Sequence, residues 1–110
     1  MMAYFIELTD TYGGEANYSW VSRFKVYAKS DLAALRMFTK ETGLAGRLRK
    51  VADYGDFARY DVARAALCVF VQGWDDESNA HYLNVKVLGK PTDDQRAAMM
   101  REAFAPDGRP

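Results

Sequence analysis

Two stretches near the start of the chain alternate between hydrophobic and polar residues with a period of two. This alternation is typical of strands that bury one face and expose the other. In residues 3–9, one face carries Tyr4, Ile6 and Leu8. In residues 18–28, one face carries Tyr18, Trp20, Phe24 and Val26. The polar stretch between them contains Gly13-Gly14, so the sequence predicts a hairpin that buries Trp20 and Phe24.

A helix over residues 31–42 is predicted to follow this hairpin. The Ser30 side chain is suited to accept a hydrogen bond from the first turn, and Gly43 is suited to end the helix. The apolar stripe recurs at helical spacing and consists of Leu32, Leu35 and Phe38. We expect this stripe to pack on Trp20, so that Trp20→Ala destabilises the protein by about 3–5 kcal/mol.

The second half of the chain contains four more predicted strands and a second helix. Residues 47–53 and 57–62 alternate around a Tyr54-Gly55-Asp56 turn and predict a second hairpin. Residues 65–73 are apolar on both faces, which is typical of a central strand. Residues 81–88 alternate again, with an inward face that consists of Leu83, Val85 and Val87. Thr92 and Gln95 form a capping-box pattern that predicts a helix ending near Phe104.

The predicted element order is ββαββββα, within one α+β domain that covers residues 1–104. We expect a mostly antiparallel sheet with two helices packed on it. Residues 105–110 contain Pro106 and Gly108 and are expected to form a flexible C-terminal tail. The chain has 110 residues, of which 49% are hydrophobic and 14% aromatic, and this is enough apolar surface for one core.

Cysteine use and the N-terminal residues bear on the cellular compartment. Cys68 is the only cysteine, which excludes a disulfide within the chain. The first residues lack the basic segment of a signal peptide, and no apolar run approaches the roughly 20 residues that span a bilayer. We therefore expect a cytoplasmic protein with no membrane partner.

Charge is balanced over the whole chain but unevenly distributed along it. Fifteen basic side chains balance fifteen acidic ones. Residues 1–20 carry three acidic side chains and no basic one, residues 21–64 carry ten basic and five acidic, and residues 65–110 carry five basic and seven acidic. The middle segment, with a net charge of +5, therefore predicts a basic side of the molecule.

A basic run in this middle segment is the strongest candidate for a contact surface. It consists of Arg47, Arg49 and Lys50, with Arg59 in the same predicted hairpin. Stacking or anchoring surface is predicted from three tyrosines, namely Tyr12, Tyr54 and Tyr60. The alternative interpretation is a solubilising face with scattered tyrosines.

No combination of residues in the sequence is typical of catalysis, metal binding or a cofactor. His81 is the only histidine, which argues against a zinc site, and Cys68 lies in the most apolar run, where thiols are ordinarily unreactive. The acidic residues at 53–61 and 75–77 match no metal-loop spacing and are typical of turns. We therefore expect a protein without enzymatic activity, metal or cofactor.

Residues 9–21 carry the distinctive segment T-D-T-Y-G-G-E-A-N-Y-S-W-V. In this segment the chain resembles a group of small proteins that are encoded by bacteriophages and prophages and have no established activity. The resemblance implies a phage accessory protein that acts inside a bacterium, and many such proteins bind host machinery. It implies no catalytic residues and no cofactor.

Three functions are consistent with these observations, and the third of them is a component of the virion. The leading hypothesis is a non-enzymatic phage-type protein that binds a host protein or nucleoprotein complex and inhibits a defence system, either a CRISPR effector or a restriction enzyme. The alternative is a nucleic-acid-binding module with a basic face around residues 47–64. A protein partner is expected because a neutral chain keeps acidic groups close to any basic face. A basic run that shares a face with the tyrosines favours nucleic acid instead.

Overall fold

The computed structural model describes residues 1–44 and 46–104, which form six strands and three helical segments. In chain order these are β1 (Met2–Tyr12), β2 (Glu15–Ala28), α1 (Asp31–Thr42), β3 (Leu48–Asp53), β4 (Phe57–Val62), β5 (Leu67–Gly73), α2 (Asp76–Asn79), β6 (Val85–Leu88) and α3 (Asp93–Phe104). The predicted tail over residues 105–110 lies outside the described residues.

All six strands join one sheet in the order β3-β4-β5-β1-β2-β6. Neighbouring strands pair in antiparallel fashion except for β2 and β6, which are parallel. The prediction of an α+β fold with a mostly antiparallel sheet is therefore confirmed. The apolar strand β5 lies in the sheet centre beside β1, as its sequence predicts.

Both long helices begin with the caps that the sequence predicts. At α1, the Ala33 N–H donates to Ser30 Oγ at 3.1 Å, and Gly43 ends the helix in the left-handed conformation. At α3, the Thr92 N–H donates to Gln95 Oε1 at 2.9 Å while the Gln95 N–H donates to Thr92 Oγ1 at 3.2 Å. Each cap satisfies backbone donors that have no partner within the helix.

Helix α1 packs on one face of the sheet and forms the hydrophobic core with it. The ring of Phe38 meets the ring of Phe24 edge-on, with centroids 5.1 Å apart. Leu32, which was predicted to join the buried stripe, is 52% exposed, whereas Ala34 is fully buried. The buried core residues include Ile6, Leu8, Phe24, Val26, Leu35, Phe38, Val69 and Val71.

The prediction that Trp20 is buried is wrong, because the first hairpin contains an irregular bulge of several residues. Residues 17–20 lie opposite Asp10 alone, because pairing is interrupted at this point of the hairpin. Within the bulge Tyr18 adopts a left-handed backbone, with a φ of 54°, and this breaks the period-two alternation of side chains. Trp20 is consequently 44% exposed and does not join the buried core.

The segment after β5 departs furthest from the prediction. The chain forms the single turn α2, and only residues 85–88 of the predicted strand 81–88 become the strand β6. Because β6 lies parallel to β2, the chain first has to cross one face of the sheet, and residues 74–84 form this crossover. Leu83, predicted to face inward, is 93% exposed.

Helix α3 was predicted to pack on the sheet together with α1, but none of its described side chains is fully buried. Its described side chains are exposed except for that of Ala98, which is half-buried. The physical reason is its composition, since Asp, Gln and Arg interrupt its short apolar runs and leave no wide apolar stripe. With α2, the described chain contains three helical segments, of which α1 is the one that covers the core.

The sheet face opposite α1 carries Phe5, Arg59 and Phe70, and we call it the helix-free face. The crossover covers one end of this face. There Phe5 is buried between Trp74 and Tyr82, with ring centroids 5.6 and 5.4 Å away. The part of the face that β4 and β5 form is left with half-buried aromatic side chains.

Candidate binding face

Four aromatic side chains form a row across the helix-free face. Phe57 of β4 and Phe70 of β5 lie in the middle, and their ring centroids are 6.1 Å apart. Tyr54 stacks on Phe57 at 4.7 Å, and Tyr18 from the hairpin bulge lies parallel to Phe70 at 6.4 Å. The outer rings are well exposed, Tyr54 by 65% and Tyr18 by 52%. We call these four residues the aromatic row.

A small cavity of about 180 Å³ opens within the aromatic row. Apart from the rings, its walls contain the polar side chains of Glu7 and Gln72. The Glu7 carboxylate is paired with Arg23 at 2.9 Å. The Gln72 carboxamide forms no hydrogen bond with any residue that the structure describes. The Gln72 carboxamide and the Tyr18 hydroxyl are therefore groups in this cavity that can donate to and accept from a ligand.

A second cavity, of about 510 Å³, adjoins the aromatic row where β3 begins and β4 ends. We call it the arginine cavity, because its lining includes Arg47, Arg49, Arg59 and Arg64. The lining contains one carboxylate, that of Asp61, which accepts a hydrogen bond from Arg59 Nε at 3.1 Å. Of the described carboxylates, none lies within 4.0 Å of the other three guanidinium groups. Arg59 also lies over the ring of Phe70, at 6.0 Å, and so joins the cavity to the aromatic row.

The first hairpin reaches this cavity because of a bend at Asp10. Its carboxylate accepts hydrogen bonds from Ser19 N at 3.0 Å, Ser19 Oγ at 2.6 Å and Asn17 Nδ2 at 2.8 Å. These bonds, above all that of the Ser19 hydroxyl, lower the pKa of Asp10 from 3.8 to about 2. The bend brings the Gly14 carbonyl oxygen to 2.7 Å from Arg59 Nη2 and places Tyr18 beside Phe70. These hairpin residues belong to the segment of residues 9–21.

The opposite end of the sheet is acidic. A groove of about 610 Å³ there is lined by residues that include Asp31, Asp53, Asp56 and Asp75. Leu67 lines the arginine cavity and Gly73 lines the acidic groove, and these two ends of β5 are about 20 Å apart at the usual strand rise. The two charged regions nevertheless approach each other along β4, because Phe57 and Gln72 also line the acidic groove and its Ala58 is next to Arg59 of the arginine cavity.

The structure brings together only part of the basic run. Arg47, Arg49 and Arg59 all line the arginine cavity. Lys50 points to the opposite side of β3, because side chains alternate along a strand. Its ammonium group pairs with Asp53 at 2.9 Å, and this contact raises the pKa of Lys50.

The predicted tyrosines are scattered over the molecule. Tyr60 is buried in the core, with only 6% of its surface exposed, and lies under the Lys50 ammonium group at 5.7 Å. Tyr12 is 81% exposed at the tip of the first hairpin. Tyr54 belongs to the aromatic row at the end away from Tyr18. Tyr60 is therefore removed from the candidate site, because a buried side chain offers no contact surface.

Sequence reasoning missed most of the aromatic row. Phe57 and Phe70 were assigned to strands and Tyr18 to the core face, and none was singled out for binding. The signal available was the alternation within β5, where Phe70 lies between Val69 and Val71 and must face away from them. That alternation does not reveal that one face is left without a helix.

The described residues contain no group of three or more His, Cys, Asp or Glu side chains that could hold a metal ion. Cys68 is fully buried, and this burial raises the pKa of its thiol. No helix in the described part of the chain is long and apolar enough to cross a bilayer. In comparisons with known proteins, no family model, no curated protein and no solved structure matches the chain.

Proposed function

We propose that this chain is a non-catalytic binding protein that holds single-stranded nucleic acid on its helix-free face. The observation that carries the proposal is the row of aromatic rings that leads, through Arg59, into the arginine cavity. Proteins that bind single strands combine a basic groove for the backbone with aromatic rings on which bases stack. Each stacked base contributes about 1–3 kcal/mol to binding.

The charge of this side of the molecule supports the same ligand. Two carboxylates, those of Glu7 and Asp61, lie on the helix-free face or in the arginine cavity. The cationic side chains in the same region are Arg23, Lys25, Arg47, Arg49, Arg59 and Arg64. This excess of cationic side chains attracts a polyanion near the arginine cavity, whereas the acidic groove at the Tyr54 end of the row repels it.

A single strand fits this face better than a duplex does. The bases of a duplex are stacked on one another, so their faces are not available to protein rings. Unpaired bases can leave the stack and lie on aromatic side chains. In the cavity within the row, Gln72 can then form hydrogen bonds with the edge of a bound base.

The resemblance of residues 9–21 to phage proteins supports a proposed activity inside a bacterium. Defence complexes that read nucleic acid, such as CRISPR effectors, expose a displaced single strand when they bind their target. A protein that covers such a strand, or the strand-binding channel of the nucleoprotein complex, inhibits the defence. We therefore propose an inhibitor of a CRISPR effector or a restriction enzyme, acting in the cytoplasm of the host.

A host protein as the direct partner is the second candidate. It is favoured by exposed apolar side chains outside the aromatic row, with Trp20 44% and Leu83 93% exposed. Exposed aromatic side chains such as Trp20 often act as anchors that contribute most of the binding energy of a protein interface. In this case the arginine side chains mainly accelerate the encounter, and the apolar anchors set the rate of dissociation.

Fluorescence anisotropy with short labelled DNA and RNA tests the proposal. We expect single strands to bind more tightly than a duplex of the same sequence. Tyr54→Ala and Tyr18→Asn each remove one ring, and each should weaken binding roughly 5- to 150-fold. Asparagine is chosen at position 18 because it tolerates the left-handed backbone there. Leu83→Ala is the control, since this side chain is exposed outside the row.

Equal affinity of the row variants and the wild type for single strands would contradict the proposal. The second candidate replaces the first under two conditions. The protein then binds a purified defence protein but no nucleic acid, and Trp20→Ala or Leu83→Ala abolishes that binding.

A further inference from the structure

The arginine cavity has an excess of positive charge, which the carboxylates of the described residues neutralise only in part. Four guanidinium groups line it with the single carboxylate of Asp61. We propose that this cavity binds one phosphate group of the strand whose bases lie on the aromatic row. This inference rests on the proposed function and assigns the phosphate to a defined site.

Arg59 is fixed in position before any ligand binds. Its Nε donates to Asp61 and its Nη2 donates to the carbonyl oxygen of Gly14. A guanidinium group has five N–H donors, so three of them stay available to a ligand. A side chain that is already ordered loses little conformational entropy on binding, which favours the bound state.

The other three arginines supply the charge that selects a phosphate. Arg47, Arg49 and Arg64 are exposed, and no described carboxylate pairs with them. The planar guanidinium group forms two parallel hydrogen bonds with phosphate oxygens, and a phosphate offers oxygens in several directions. A carboxylate has only two oxygens, so it engages fewer of the arginines that surround this cavity.

The hairpin that resembles phage proteins forms one wall of the cavity. Thr11 and Gly14 line it, and the contact between Gly14 and Arg59 fixes the distance from this wall to β4. Gly14 has a φ of 83°, a conformation that side chains other than glycine adopt only with strain. The hairpin therefore has a role in the proposed phosphate site as well as in presenting Tyr18.

Two sources of phosphate are compatible with this cavity, and both carry the same chemical group. An internal phosphodiester has one negative charge, and a terminal phosphomonoester has nearly two at neutral pH. Because Arg59 joins the cavity to the aromatic row at Phe70, a strand can enter the cavity with its terminus or pass through it. The experiment therefore uses oligothymidylate with and without a 5′-phosphate as its two probes.

The decisive measurement is the salt dependence of binding to these oligonucleotides. For a single strand, the slope of log K against log salt changes by about 0.7 for each phosphate that the protein neutralises. We expect the slope of the double variant Arg47→Ala with Arg64→Gly to be shallower by about 0.7 or more. Lys50→Ala is the matched control, since Lys50 lies on the same strand but points away, and its slope should not change.

The two probes then identify the source of the phosphate. If the 5′-phosphorylated strand binds more tightly and the double variant loses this preference, the cavity binds a terminal phosphate. If both strands bind equally and the double variant has the shallower slope, the cavity binds an internal phosphate. An unchanged slope in the double variant overturns the inference. If Tyr18→Asn still weakens binding in that case, the proposed function stands without the phosphate site; if neither variant changes binding, both are wrong.

Discussion

The guanidinium of Arg59 donates a hydrogen bond of 2.7 Å to the backbone carbonyl of Gly14, 45 residues earlier in the chain. This contact ties the tip of the first hairpin to the side of β4 that carries no helix. It also joins two features that are separate in the sequence, the segment of residues 9–21 and the basic run. The fold thereby gives one surface an aromatic row and an adjoining arginine cavity.

Phe38 and Trp20 should differ strongly in how much each side chain contributes to the free energy of unfolding. Phe38 is fully buried against Phe24, whereas Trp20 is 44% exposed. Phe38→Ala should lower the free energy of unfolding by about 3–5 kcal/mol, because it leaves a cavity in the core. Trp20→Ala should lower it by less than about 1 kcal/mol, as most exposed substitutions do. Urea unfolding of both variants measures the difference, and equal losses would show that Trp20 belongs to the core.

The lowered pKa of Asp10 should make the stability of the protein depend on pH in the acid range. Its pKa is about 2 in the folded protein and 3.8 ordinarily, so the folded state binds fewer protons in this range. The stability that Asp10 contributes is therefore present above about pH 4 and is lost as the pH falls towards 2. In Asp10→Asn this dependence is absent, so the difference from the wild type should be largest near neutral pH and should narrow in acid. Urea midpoints across this range test it, and a difference that does not vary with pH would contradict it.

Replacing Arg64 by glycine should remove a side chain of the proposed binding site without lowering the stability of the protein. Its φ of 62° is left-handed, a conformation that costs an L-residue about 1–2 kcal/mol. Glycine removes this cost but adds entropy to the unfolded chain, about 0.4–1 kcal/mol. Arg64→Gly should therefore leave stability unchanged or raise it by about 1 kcal/mol. Arg47→Gly is the matched control, since its backbone is not left-handed, and it should lose about 0.4–1 kcal/mol. Thermal melting compares the two, and a marked loss in Arg64→Gly would contradict the prediction.

Cys68 predicts slow reaction with thiol reagents in the folded protein. The side chain is fully buried, and burial raises its pKa, so little reactive thiolate is present at neutral pH. We expect labelling to proceed only as fast as the protein opens, and at once in concentrated urea. A thiol that reacts within seconds in the native protein would be inconsistent with the buried position.

Much of the local structure follows from the sequence, because it depends on neighbouring residues. The Ser30 cap, the left-handed Gly43 and the capping box of Thr92 and Gln95 each involve residues within a few positions of one another. The apolar run of β5 likewise predicts a central strand, since its side chains face apolar surroundings on both sides. The mostly antiparallel sheet follows from strands that short turns connect.

The positions of Trp20 and Leu83 are not predictable in this way. Trp20 is displaced by a bulge that the Asp10 hydrogen bonds hold, and a bulge of this kind shifts side chains out of the period-two pattern. Leu83 is exposed because β6 pairs in parallel with β2, which requires a crossover. Both outcomes depend on pairing between distant segments, and a local pattern contains no information about that pairing.

The sequence by itself therefore determined the two long helices, most of the strands, the buried cysteine and the excess of basic residues in the middle of the chain. Only the tertiary structure decided which of those residues act together. It moved Lys50 and Tyr60 away from the site, brought Arg64 into one cavity with Arg47, Arg49 and Arg59, and left the face opposite α1 without a long helix. The physical reason is that strand register fixes the face on which each side chain lies, and register is set by long-range pairing. Tyr18, Phe57 and Phe70 thus meet on one face although they are distant in sequence.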